Sequence, residues 1–166
     1  MTTKSALILL IIAFGFVSSR VDAQEELAIK QEIKAMYMQA DAATRARDVP
    51  RLMRHYADDF KLHAGLKKVL GVKEVADLMH WQVVATKEIR QLSFEILTFK
   101  TKGDTAVATV RQKETLLVVM NGESHVLVGD QTSEDHWVKT VKGWRLRLQD
   151  VKKSKSTRDG KVLPAV

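Results

Sequence analysis

Glu114, Glu134 and His136 are the side chains of this sequence best suited by type to pass a proton between neighbours. They sit in two runs of alternating residues. In the first, Ala106, Ala108, Val110, Gln112, Glu114 and Leu116 share one side, because strand side chains point alternately to opposite faces. In the second, Val126, Val128, Asp130, Thr132, Glu134, His136 and Val138 form a set that is likewise apolar at its ends and polar in its middle. If both sets face one interior, Glu114, Glu134 and His136 converge with Tyr37 and Asp41 from a helix near the start. A carboxylate beside an imidazole in an apolar cavity is a general acid–base pair, since burial and mutual charge move both titrations towards neutrality. A one-residue change of register sends the polar set to the outer face instead, where these are solvated or interface residues. Gln112 and Trp81 complete the expected ligand-contacting set of Tyr37, Asp41, Trp81, Gln112, Glu114, Glu134 and His136. The tryptophans Trp81, Trp137 and Trp144 otherwise read as core, interface or pocket wall.

A second acidic feature is the stretch YADDFKLHAG, residues 56–65. Adjacent carboxylates repel unless solvated or capped, so Asp58 and Asp59 read as a structural turn whose short side chains bond nearby backbone N–H groups. The five histidines include no His-x-x-x-His pair on an expected helix, and there is no cysteine. No metal site and no cofactor are expected. Thiol catalysis and disulfide exchange are excluded outright, and neither a phosphate-binding glycine loop nor a Gly-x-Ser-x-Gly elbow occurs.

The start of the chain reads as an address. Lys4 is followed by an uncharged run from Ser5 to Val17 and by small residues up to Ala23, the pattern of a cleaved signal for export to the periplasm or the medium. The run is too short to span a bilayer, which takes about 20 apolar residues, so no transmembrane segment is expected after cleavage. Removing residues 1–23 leaves 143 of 166 residues, enough for one domain with a sizeable core. The whole chain carries +7; losing Lys4, Arg20 and Asp22 leaves +6. The basic residues are mostly scattered and no nucleic-acid partner is expected. The exception, Lys152 to Lys161, reads as a basic tail over residues 153–166, solvated or weakly attracted to anionic surfaces.

These features need a scaffold. Ile29, Ile33, Met36, Tyr37 and Ala40 recur at three- and four-residue steps and predict the buried face of a helix over 25–47, with Glu25 and Glu26 at its positive end. Asp48 is placed to cap a short second helix with Pro50 in its first turn, buried through Leu52, Met53 and Tyr56 and ended by Asp58-Asp59. A third helix follows Gly71 through Val72, Val75, Leu78, Met79 and Val83. From Ile89 the period becomes two. Lys102-Gly103-Asp104, Asn121-Gly122 and Lys142-Gly143 divide the remainder into four strands, residues 89–100, 104–120, 123–141 and 144–152, which form an antiparallel meander. The central strands are about three times the usual 5–6 residues, so the sheet must bend, with Gly129 as the expected bend point.

The order of elements, together with RDVPRLMRHYADDFKLHAG, LGVKEVADLM and SEDHWVKTVKGWRLRLQDV, resembles the nuclear transport factor 2-like superfamily in its SnoaL-like and ketosteroid-isomerase-like branches, over residues 25–152. The resemblance implies an α+β cone, a curved antiparallel sheet wrapped over three N-terminal helices around a central cavity, commonly as a homodimer. It implies no one chemistry. The aspartate that shuttles the proton in the isomerase branch would fall at Ala64, and its phenolic tyrosine at Ala40, so steroid isomerisation by that route is not expected. Three functions remain open: an exported domain binding a small, largely apolar molecule; an isomerase or dehydratase using His136 with Glu114, Glu134 or Asp41; and an interaction module whose cavity is filled by its own side chains.

Overall fold

Ile29, Ile33 and Tyr37 are buried along one stripe of the first helix, as their four-residue spacing requires. The computed structural model describes residues 4–65 and 69–163, with side chains from residue 23 onward. The first helix, α1 (Lys4–Arg45), begins well before the expected start, so Glu25 and Glu26 lie inside it and not at its positive end. The expected export segment, residues 1–23, lies almost wholly outside the residues whose side chains are described. Asp48 then caps α2 (Val49–Met53), accepting from the Arg51 N–H at 2.9 Å, with Pro50 in the first turn.

The short helix ends earlier than its composition suggests. Tyr56 opens strand β1 (Tyr56–His63), so Asp58 and Asp59 lie in a strand and not at a helix-ending turn. Between the pairs Tyr56↔Leu146 and Lys61↔Leu148 the ladder is interrupted, which lets two consecutive side chains point to solvent. Asp59 there pairs with Arg147 at 2.6 Å. After β2 (Leu70–Gly71), α3 (Val72–Ala85) runs as its spacing predicts, with Glu74 reaching back to the Gly71 N–H at 3.1 Å.

The remaining strands are β3 (Thr86–Lys102), β4 (Thr105–Met120), β5 (Glu123–Thr140), β6 (Gly143–Arg158) and β7 (Lys161–Val162). Sheet order is β2-β1-β6-β5-β4-β3, with β7 on β6. The meander β3 to β6 is antiparallel as expected, but β1 runs parallel to β6, so the sheet is mixed. It is curved and unclosed, with α1 packed on β3 and α3 on β1 and β2. The basic stretch starting at Lys152 continues β6 to Arg158, pairing with the first half of β5.

The register of β4 against β5 is unbroken from Met120↔Glu123 to Thr105↔Val138. Asn121 (φ 53°) and Gly122 (φ 84°) form the two-residue turn that sets it, a geometry that requires left-handed backbone at both positions. Gly129 therefore introduces no bulge; the irregularities fall between β3 and β4, near Thr86, Ile89 and Ile96, and between β5 and β6, near Thr132 and His136. The core joins Ile29, Ile33 and Tyr37 to Phe60, Val75, Ala108, Val110, Trp137 and Trp144 at one end of the sheet.

Replacing the cap in Asp48→Ala leaves the Arg51 N–H without its partner and should cost about 1 kcal/mol of unfolding free energy. Urea unfolding checks this; an unchanged midpoint would show that the cap contributes nothing.

Candidate functional site

Beyond that core the sheet and helices separate and enclose a cavity of about 330 Å³. α1 contributes Met36, Tyr37 and Ala40 to its wall, α3 Leu78, Met79 and Val83, and β1 Leu62, with Ala64 just beyond it. The inner face of β4 supplies Gln112, Glu114 and Leu116, the set that alternation predicts. Ala64, at the position of the isomerase base, does line the cavity, and so does Ala40. Two positions that the resemblance associates with proton transfer therefore present methyl groups.

The inner face of β5 is the alternate set to the one expected. Ala106, Ala108 and Val110 stand opposite Trp137, Asp135 and Ser133, and directly paired residues share a face of the sheet. Glu134 and His136 therefore point outward, where His136 Nε2 and Glu134 Oε1 lie 2.9 Å apart and both side chains are half-exposed. Asp41 does not join them. It is paired with Arg45 at 2.8 Å, one turn along α1, and does not line the cavity. Trp81 is 58% exposed on α3 and is neither core nor cavity wall. Of the expected set, Tyr37, Gln112 and Glu114 come together at the cavity; Asp41, Trp81, Glu134 and His136 do not.

The residue that alternation missed is Asp135, fully buried at 0% exposure. Its Oδ2 accepts from the Tyr37 hydroxyl at 2.6 Å, and its Oδ1 accepts from Ser133 Oγ at 2.7 Å and Gln149 Nε2 at 3.3 Å. Trp137 Nε1 in turn donates to the Tyr37 oxygen at 3.2 Å, with the two rings edge to face. Burial raises the Asp135 pKa above the ordinary carboxylate range despite these donors, and burial, followed by the Asp135 charge, holds the Tyr37 hydroxyl well above its usual value. A signal for Asp135 was present: counting back from the two-residue Asn121-Gly122 turn pairs Ala108 with residue 135, not 134 or 136.

Glu114 occupies a different environment. Among the described residues, its side chain accepts one hydrogen bond, from Gln112 Nε2 at 3.4 Å, and burial pushes its pKa up. Opposite it stands Gly129, where a Cβ would lie 3.0 Å from Glu114 Cγ and Oε1. The glycine makes room for the glutamate side chain. Chemically, the site offers one well-partnered carboxyl, one under-partnered carboxyl and a largely apolar wall. Among the described residues no group of three or more histidine, aspartate or glutamate side chains could hold a metal ion.

No protein-family model matches the chain, and no curated protein matches its sequence. Solved structures do share its architecture. A candidate scytalone dehydratase from Novosphingobium aromaticivorans superposes with a TM-score of 0.67 at 14% identity, covering 86% of this chain and 95% of that one. A candidate dehydratase of the nuclear transport factor 2-like family from Streptomyces avermitilis gives 0.61 at 15%, covering 76% and 96%. A nuclear transport factor 2-like protein of unknown function from Pseudomonas putida gives 0.58 at 17%, covering 75% and 86%.

Two outcomes follow from the buried network. Tyr37→Phe removes a donor to a buried carboxyl and should cost about 1–3 kcal/mol in denaturant unfolding, against no loss if the bond is incidental. Because the folded-state pKa of Asp135 is raised above its ordinary 3.8, the stability tied to its protonated form is complete at or below that pH and is lost as pH rises through the folded value. Wild type should therefore lose stability relative to Asp135→Asn as pH rises above about 4; parallel pH profiles would contradict the raised pKa.

Proposed function

We infer the function of this chain from its nuclear transport factor 2-like fold, an α+β cone with a curved, unclosed mixed sheet over N-terminal helices. From that premise we propose that this is an exported domain whose cavity binds a small, largely apolar molecule. The observation that carries the reading is the cavity of about 330 Å³, whose wall is mainly aliphatic and aromatic side chains interspersed with polar groups such as Gln112, Glu114 and Gln149. Cavities of this size and character are the usual form of small-molecule sites. A space this large also counts against a purely structural interior filled by side chains.

Binding is favoured over proton transfer by the state of the inner groups. The Tyr37 hydrogen is donated to Asp135, and Asp135 already accepts from three internal donors, so most of the hydrogen-bonding capacity of this pair is used within the protein. The outward Glu134–His136 pair cannot reach a molecule inside. Export rests on the composition of residues 1–23, and no helix among the described residues is long and apolar enough to cross a membrane.

Native mass spectrometry of the purified protein before and after mild denaturation should reveal a co-purifying small molecule. The neutral fluorophore phenylnaphthylamine should bind the emptied protein, and Ala64→Phe, which projects a ring into the cavity, should weaken it at least about tenfold without lowering the melting temperature. Absence of a bound molecule together with no uptake of the fluorophore would overturn the reading. His136→Ala should leave binding unchanged.

A further inference from the structure

The inner face of the sheet carries two consecutive rows of side chains across four strands at the Glu114 end of the cavity. One row runs Leu92, Glu114, Gly129 and Ser156; the next runs Phe94, Gln112, Gln131 and Ser154. Glu114, Gly129, Gln131 and the two serines also enclose a small recess of about 30 Å³ that adjoins the main cavity at Glu114. Six residues of strand, about 20 Å at the usual rise, separate Glu114 from the residue opposite Asp135, so the two carboxyls work at different ends of the space.

Resting on the binding function proposed above, we infer that the cavity takes a small apolar amine, its ammonium group seated between Glu114 and the recess of Ser154, Ser156 and Gln131. The charge distribution selects this class. Among the described residues that line the cavity, Arg47 is the one lysine or arginine, and its Nη2 is held at the rim by the Lys87 carbonyl at 3.0 Å. His55 is kept towards its neutral form, first by burial and then by Arg145 and Arg51. Asp130, which also borders the recess, is already paired with Arg111 at 2.5 Å. Glu114 thus has no cation of its own, and its single 3.4 Å contact leaves most of its acceptor capacity unused.

A half-buried carboxyl in that state gains most from a ligand that supplies both charge and donors. An ammonium offers three N–H groups at most, and Glu114 with the serine and amide oxygens of the recess offers matching acceptors. The apolar body of the ligand would lie along Leu92, Phe94 and Leu116. Asp135 does not compete, because its three donors are internal. Gly129 is part of the device: a Cβ there would crowd the Glu114 side chain.

The test uses three adamantane probes of matched size: adamantylmethylamine as cation, adamantylmethanol as neutral molecule and adamantane carboxylate as anion. Calorimetric titration at pH 7 should find the amine bound at least about tenfold tighter than the alcohol, with the carboxylate weakest. Glu114→Gln should erase the preference for the amine while leaving alcohol binding within a few-fold, which also shows that the variant is folded. Gly129→Ala should reduce the preference by displacing the carboxyl. Equal binding of amine and alcohol, or a preference that survives Glu114→Gln, would overturn this inference and leave the binding function intact. Failure of all three probes would overturn both.

Discussion

The two-residue turn at Asn121-Gly122 is the constraint on which the rest of the site depends. A left-handed conformation at both residues fixes Met120 opposite Glu123, and since no bulge interrupts the ladder, every later pair along β4 and β5 follows from it. In a sheet with one face against helices, this decides the inventory of the interior. Side chains on even positions of β4 meet odd positions of β5, so Asp135 goes in and Glu134 and His136 go out. One residue more in the turn would exchange the two sets and place a different chemistry in the cavity.

Burying Asp135 is tolerable because the same register brings Ser133 beside it and Trp137 beyond it, while Tyr37 arrives from α1 and Gln149 from β6. Three elements, α1, β5 and β6, thus meet at one carboxyl. An unpaired charge at that depth would cost several kcal/mol, so the network acts as a specification: α1 can dock on the sheet at one height and rotation only if the Tyr37 hydroxyl reaches Oδ2. The apolar stripe of Ile29, Ile33 and Tyr37 supplies most of the burial, and the hydrogen bonds choose among the ways of achieving it. The cavity survives because this anchoring lies at one end of the sheet, leaving the other end of the cone unfilled.

At that other end the logic reverses. Glu114 is brought to the interior by the same alternation that buries Ala108 and Val110, yet it meets a glycine and one distant amide. A half-buried carboxyl with one long contact, set beside a largely apolar wall, keeps most of its acceptor capacity for a ligand. The contrast between a well-partnered Asp135 and an open Glu114 separates the part of the interior that holds the fold together from the part available to a ligand.

Much of this was legible in the residues. The spacing of Ile29, Ile33 and Tyr37, the cap at Asp48, the helix after Gly71 and the four-strand meander all follow from local periodicity and turn chemistry, which act over a few neighbours and leave their mark on composition. The inward face of β4, down to Gln112 and Glu114, was legible for the same reason. Tertiary structure decided what depends on partners far along the chain: the parallel pairing of β1 with β6, the interrupted ladder that turns out Asp58 and Asp59, and the exposure of Trp81. The face of β5 lies between these cases. Both of its alternating sets contain polar residues, so hydrophobicity alone could not choose between them, and only pairing with β4 and docking of Tyr37 from a helix 98 residues away made Asp135 the buried one.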